Sequence, residues 1–264
     1  MTDAAPGRSS APRKRRTRPF VVIASVLLVL IVGFFVADAA AKAYAGSQIK
    51  AKLVAAMGLP ASTEVTVDFG SGPILFQALS GSLSSVDVRV PKLAFGALVG
   101  AADIRATGVP LDTSQPLETL TVSYAVTATN LEALAGNLSN LKVDSIAMRS
   151  PEIVAIASLP LFGIAVPVGL GLTPSVSAGK LDFTPTTIDV AGQTFTSQQL
   201  QASPVFGSLA TTLLQQQSLC IAQYLPKALT ARSAHVVGST LVLTVTGNGA
   251  VLGGSAFTTK GSCS

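Results

Sequence analysis

Tryptophan is absent from this 264-residue chain, histidine occurs once and cysteine twice, and only 12% of the residues are charged. The single histidine, His235, excludes a histidine-based metal cluster, and two cysteines cannot complete a four-coordinate zinc site. No G-x-S-x-G, G-x-x-x-x-G-K-[ST] or G-x-G-x-x-G is present, so there is no nucleophile elbow, P-loop or dinucleotide fingerprint. Ser47-Gln48-Ile49-Lys50 spells S-x-x-K, but its partner motifs S-D-N and K-T-G are missing and the match is chance. His235 falls in an alternating stretch and reads as a hydrogen-bonded structural histidine. Asp87/Arg89 and Asp103/Arg105 place opposite charges on shared strand faces, which solvated ion pairs explain. With nucleophile, base and metal all missing, the inventory names no catalytic residue, no metal ligand and no cofactor. The chain does not read as an enzyme.

What the chain does have is a dense basic cluster, Arg13–Arg18, that runs into the apolar stretch Phe20–Ala37. Six of the 18 basic residues and one of the 13 acidic residues fall within residues 1–18, which leaves twelve of each beyond. The net charge of +5 therefore belongs to the N-terminal tail, and the rest is neutral. A basic face for nucleic acid is not visible, and no nucleic-acid partner is expected. Positive residues beside an apolar run stay cytoplasmic, so the expected organisation is a cytoplasmic tail (1–18), a membrane anchor (19–37) and an extracytoplasmic domain (38–264). Signal-peptide apolar regions run about 7–15 residues and membrane spans about 20, which favours an anchor in the plasma membrane. Small-residue triplets at Ala39–Ala45 keep a cleaved signal, and a secreted or periplasmic product, as the alternative. No cysteine near the run permits lipid modification. Beyond the membrane, Cys220 and Cys263 are expected to form a disulfide. Closing that loop contributes roughly 3–4 kcal/mol by chain entropy and pins the C-terminus.

After the anchor, Ile49, Leu53 and Met57 recur at helical spacing, and Gly58 with Pro60 ends a helix expected over Asp38–Gly58. The period then changes to two. Val65, Val67 and Phe69 alternate, as do Val86, Val88 and Val90, with a register shift near Pro91. Leu120 to Ala128 forms the cleanest alternation. Asn130 is expected to cap a short helix, Leu131–Leu138, and another helix is expected over Phe206–Gln217. Ala234–Val237 and Thr240–Thr246 flank Gly238-Ser239, a two-residue hairpin signal of type II′. Strands in runs, with helices set apart, indicate an α+β fold with an antiparallel sheet.

Ile153–Leu172 carries no charge and has the length of a second span, but Pro160, Pro167, Gly163, Gly169 and Gly171 argue against a continuous helix. Ile164, Val166, Val168, Leu170 and Leu172 instead alternate with small residues. Such a strand packs one aliphatic face and lets a neighbour approach its bare face closely. Core packing and the wall of an apolar cavity remain the two readings.

The segment Val67–Gly81, VDFGSGPILFQALSG, the strand Ser85–Val90 that follows, and the late stretch Leu219–Pro226 with Cys263 resemble the LmeA-like phospholipid-binding family of actinobacteria. Members carry a Pro-x-Leu-x-Gln-x-Leu-x-Gly-like turn, often with an aromatic directly after the proline. Here that position is Ile74, and Phe76 comes two residues later. The resemblance implies a curved antiparallel sheet wrapped around a long N-terminal helix, and phospholipid binding in the cell envelope or periplasm. In mycobacterial relatives it is linked to lipoglycan maturation. Leu75, Phe76, Leu79, Ile164, Val166, Val168, Leu170 and Leu172 are the candidate acyl-chain contacts. Lys92, Arg105 and Lys142 are candidates for a phosphate. The alternative is an anchored structural or interaction module that holds an envelope protein partner and no lipid.

Overall fold

The computed structural model describes residues 18–57, 59–95, 98–132, 143–161, 164–190, 192–202 and 216–263. Arg18–Met57 is one uninterrupted helix, α1, so the apolar run and the helix expected after it are continuous. Its only proline, Pro19, sits in the first turn, where no helical N–H donor is needed. Large side chains from Val26 to Val32, with Phe35 and Val36, are exposed. Among the described residues α1 is the one helix long and apolar enough to cross a membrane. From Ala41 onward its character changes. Ala41, Ala45, Ile49 and Leu53, four residues apart, pack on a sheet.

That first sheet contains β1 (Thr66–Phe69), β2 (Ser82–Phe95), β3 (Leu98–Pro110), β4 (Thr119–Thr127), β11 (Thr230–Val237) and β12 (Thr240–Thr246), in the order β1-β2-β3-β4-β12-β11. The second contains β5 (Ser145–Arg149), β6 (Glu152–Leu161), β7 (Ile164–Ser177), β8 (Lys180–Val190) and β10 (Gln217–Cys220), in the order β10-β8-β7-β6-β5, with β9 (Gln193–Thr196) also on β8. All pairings are antiparallel, and the α+β class is as expected. The register shift near Pro91 falls between Val90 and Leu93, against β3. Gly238 (φ 57°) turns the last hairpin, while Ser239 stays at negative φ, as a type II′ turn requires.

The alternation read in the sequence gives the first sheet a single apolar face with two covers. At the β1 side the cover is α1, whose Ala41, Ala45, Ile49 and Leu53 join the cluster of Phe69, Val86, Val88, Val90 and Tyr124. Over β11 and β12 the cover is the second sheet, where Ala234, Val236, Leu241 and Val245 meet Ile153, Leu181 and Phe183. Ser150 Oγ donates to Val236 O at 3.0 Å, which joins the β5–β6 turn to β11. The Tyr124 hydroxyl lies 3.0 Å from Leu93 O and 3.1 Å from Leu98 O, and burial pushes its pKa up to about 12.

Cys220 and Cys263 are bonded, with Cα atoms 5.8 Å apart. The bridge ties the segment after β12 to β10, and so links the tail of the first sheet to the second. Three expectations change. The helix after β4 starts at 128, and its cap is Thr127, whose hydroxyl accepts from Asn130 N at 3.4 Å. The threonine hydroxyl thus reaches the third N–H of the helix, and Asn130 is inside it. Residues 133–138 and 206–215 of the two expected helices lie outside the described residues, and Gln217 is already in β10. His235 is exposed, opposite Val242, with no hydrogen-bond partner among the described residues, because its strand position faces away from the covers.

Candidate functional site

The Pro-Ile-Leu-Phe-Gln-Ala-Leu segment folds as a short helix, α2 (Ile74–Leu79). Six residues are too few to hold a helix alone, and Pro73 at the cap has no side-chain acceptor. The acceptor comes from α1. Leu75 N donates to Asp38 Oδ1 at 3.1 Å, and Lys42 Nζ is 3.1 Å from Asp38 Oδ2. Lys42 also donates to Gly72 O at 3.0 Å. Asp38 is 4% exposed, and a carboxylate so buried needs both a cation and N–H donors. One turn lower on α1, the Phe34 ring sits 4.9 Å from the Phe76 ring.

This docking sorts the residues of the motif. Ile74 is buried in the core under α1, so the position after the proline serves packing. Leu75 is half-buried. Phe76 is 60% exposed and Leu79 85% exposed. Gln77 Oε1 accepts from Ser84 N at 2.8 Å, fixing α2 to the start of β2. Asp38, Lys42 and Phe34 were not singled out from the sequence. Asp38 is the first charge after the apolar run and has Lys42 at i+4, which was the available signal.

The other candidates lie on the second sheet. Val166, Val168, Leu170 and Leu172 share the inner face of β7, and cross-strand neighbours Ala155, Ile153, Ile188 and Val190 point the same way. Val168 and Ile188 are buried and the other three β7 residues half-buried, and this strip continues past the contact with β11 and β12. The Ile164 side chain lies outside the described residues. On the opposite face a Cβ on Gly171 would come within 2.7 Å of Glu152 Oε2. At Gly171 the bare face of β7 is therefore filled by the Glu152 carboxylate, which accepts from Thr186 Oγ1 at 2.5 Å and Thr187 Oγ1 at 2.9 Å. The α2 candidates thus lie on a helix docked beside the first sheet, and the β7 candidates on the second sheet.

Two open hollows have other linings. One, of about 760 Å³, lies over the outer face of the first sheet, where Arg89 Nε is 2.6 Å from Asp103 and Arg105 Nε 2.5 Å from Asp87. These cross-strand partners neutralise Arg105, the phosphate candidate there. Lys92 is exposed at the β2 irregularity, and Lys142 lies outside the described residues. The second hollow, of about 590 Å³, is a mainly apolar groove along the end of α1, lined by Ala51, Val54, Ala55 and Leu59 among others. No group of metal-binding side chains occurs among the described residues.

A comparison with protein families matches residues 36–246 to the LmeA-like phospholipid-binding family, most of the chain. No curated protein and no solved structure matches it. The chain belongs to the LmeA-like phospholipid-binding family.

Proposed function

From that membership we propose a non-catalytic phospholipid-binding protein, tethered by α1 to the outer face of the plasma membrane. Residues 1–18 form the cytoplasmic tail, residues 19–37 the anchor and residues 38–264 the extracytoplasmic domain. Acyl chains lie along Val166, Val168, Leu170 and Leu172, with Ile164 at the end of the strip, where the sheets and α1 together form an apolar groove or tube. Leu75, Phe76 and Leu79 form the contact nearest the membrane. The observation that carries this reading is the aliphatic strip of β7, which continues beyond the inter-sheet core in a chain of a phospholipid-binding family. Each methylene removed from water contributes about 0.8 kcal/mol, so a long chain needs no elaborate polar site.

Native mass spectrometry of the solubilised full chain, followed by lipid extraction, tests it. Bound phospholipid is expected at a defined ratio, and Leu170→Trp, which fills the strip, should lower that ratio. A chain that carries no more lipid than an unrelated single-helix protein, and takes up none from vesicles, contradicts the reading.

A further inference from the structure

Among the described residues, eight large apolar side chains outside the exposed part of the apolar run are themselves exposed, and four of them gather at one end of the first sheet. Phe76 and Leu79 project from α2. Leu111 follows β3 and its N–H donates to Gly81 O at 3.0 Å, directly beside the end of α2. Leu252 lies in the next loop, where Gly253 N donates to Thr113 O at 2.9 Å. Leu111 is 51% and Leu252 39% exposed. The chain places these residues where β2 begins, β3 ends and β12 ends, so they share one rim of the first sheet. Two others, Val99 and Val237, lie at the opposite strand ends.

Position along α1 says what covers the rim. At 1.5 Å per residue the apolar run Phe20–Ala37 is about 27 Å long, close to the roughly 30 Å of a bilayer's hydrocarbon. Asp38, the first charge, then marks the outer boundary, and the exposed Tyr44 lies about 9 Å further out, among head groups. Phe34 is one turn inside that boundary, by about 6 Å, and Phe76 is packed on it. A surface-seated apolar helix reaches about 5–10 Å into the leaflet, the same depth. We infer that the rim Phe76–Leu79–Leu111–Leu252 is immersed in the outer leaflet, so that the domain grips the bilayer at a second place besides α1. The Asp38–Lys42 clamp on α2 fixes the depth of this second contact. It rests on the reading of α1 as a retained anchor. The ligand is the lipid surface itself, and the contact is apolar, so zwitterionic lipid suffices.

The absence of tryptophan makes the test clean, because each inserted tryptophan is the only one in the chain. Full-length Leu79→Trp, Leu111→Trp and Leu252→Trp are reconstituted into phosphatidylcholine vesicles with and without bromine on the acyl chains. Leu30→Trp reports on the anchor, and Val237→Trp on the far end. The expected result is blue-shifted emission quenched by brominated lipid at all three rim positions, and none at Val237. Unquenched rim reporters overturn the inference. If Leu30→Trp is quenched in that case, the anchor stands and only the rim contact falls. If Leu30→Trp is unquenched too, the anchor reading falls with it. Blue-shifted but unquenched rim reporters that cross-link between protomers assign the rim to a second copy of the chain, and also overturn it.

Discussion

In the first sheet the acidic side chains mostly answer arginines, and in the second they mostly answer hydroxyls. Asp87 and Asp103 sit on the outer face of β2 and β3, each opposite an arginine of the neighbouring strand, and these pairs are open to solvent. Glu152 and Asp182 sit on the outer face of the second sheet. Glu152 accepts from Thr186 and Thr187, and Asp182 accepts from Ser177 and from Ser218, the latter at 2.5 Å. Asp182 is 3% exposed, against 71% for the side chain of Arg89. The first arrangement costs little to lose, since solvent and salt already screen it. The second holds buried charge with neutral donors, and so depends on close packing and on ionisation. On the outer face of the second sheet, short polar side chains pack around these carboxylates.

The largest test of this difference is the link between the sheets. Cys263→Ser releases the tail from β10. A loss of about 3–4 kcal/mol in denaturant unfolding is expected from the chain-entropy model. Hydrogen exchange should locate the loosening in β8 and β10, with β2 and β3 left protected. Equal loss of protection in both sheets would mean that they unfold as one unit.

Next in size is Gly171→Ala. The new methyl collides with Thr187 and comes within 2.7 Å of Glu152, and neither group can leave without breaking its hydrogen bonds. A cost of about 1–3 kcal/mol is expected from overpacking. A fully tolerated alanine, by thermal melting, would show that the carboxylate cluster yields easily.

Asp182 separates the sheets by pH. The Ser177 and then the Ser218 hydroxyl hold its carboxyl below the ordinary carboxylate range, against burial, which pushes the other way. A depressed folded pKa stabilises fully above the unfolded value and loses that contribution as pH falls through the folded one. The stability gap between the wild type and Asp182→Asn should therefore be constant near neutral pH and shrink below about pH 4. It should not respond to salt. For Arg89→Gln, by contrast, any loss should fade as salt rises from low to molar concentration. A salt-dependent gap at Asp182, or a salt-independent one at Arg89, would erase the distinction between the sheets.

The same contrast explains what could be read from the sequence. Alternation at Leu120–Val126, the register shift at Pro91 and the Gly238-Ser239 hairpin depend on residues close in the chain, and each is in place. The charges of β2 and β3 were visible as solvated pairs along each strand, Asp87/Arg89 and Asp103/Arg105, but the bridges that form cross between strands, Arg89 to Asp103 and Arg105 to Asp87. Glu152 with Thr186, and Asp182 with Ser218, lie more than thirty positions apart and include an uncharged partner, so no local pattern marks them. The docking of α2 on Asp38 spans 37 positions and was equally silent. The contact face of β7 was legible as aliphatic, but its company on the second sheet was not. Division of the strands between two sheets depends on long-range pairing, such as β4 with β12, that alternation alone cannot assign.

The smallest effect expected lies at the turn joining β7 and β8. Ala178, at φ 46°, is the one non-glycine residue with positive φ among the described residues, and Gly179 at φ 77° follows it. Two successive residues of this kind make a type I′ turn, whose first central position favours asparagine, aspartate or glycine. Alanine pays about 1–2 kcal/mol for the left-handed conformation, and glycine there costs about 0.5–1 kcal/mol in chain entropy. Ala178→Gly should therefore raise stability by less than about 1 kcal/mol. The position is held because Gly179 O accepts from Ile221 N at 3.1 Å and from Ala222 N at 2.9 Å, next to the disulfide. In the Cys263→Ser background the turn is freer to relax, so the gain from glycine should shrink. An unchanged gain in both backgrounds, read from paired urea titrations, would show that the disulfide and the turn act independently.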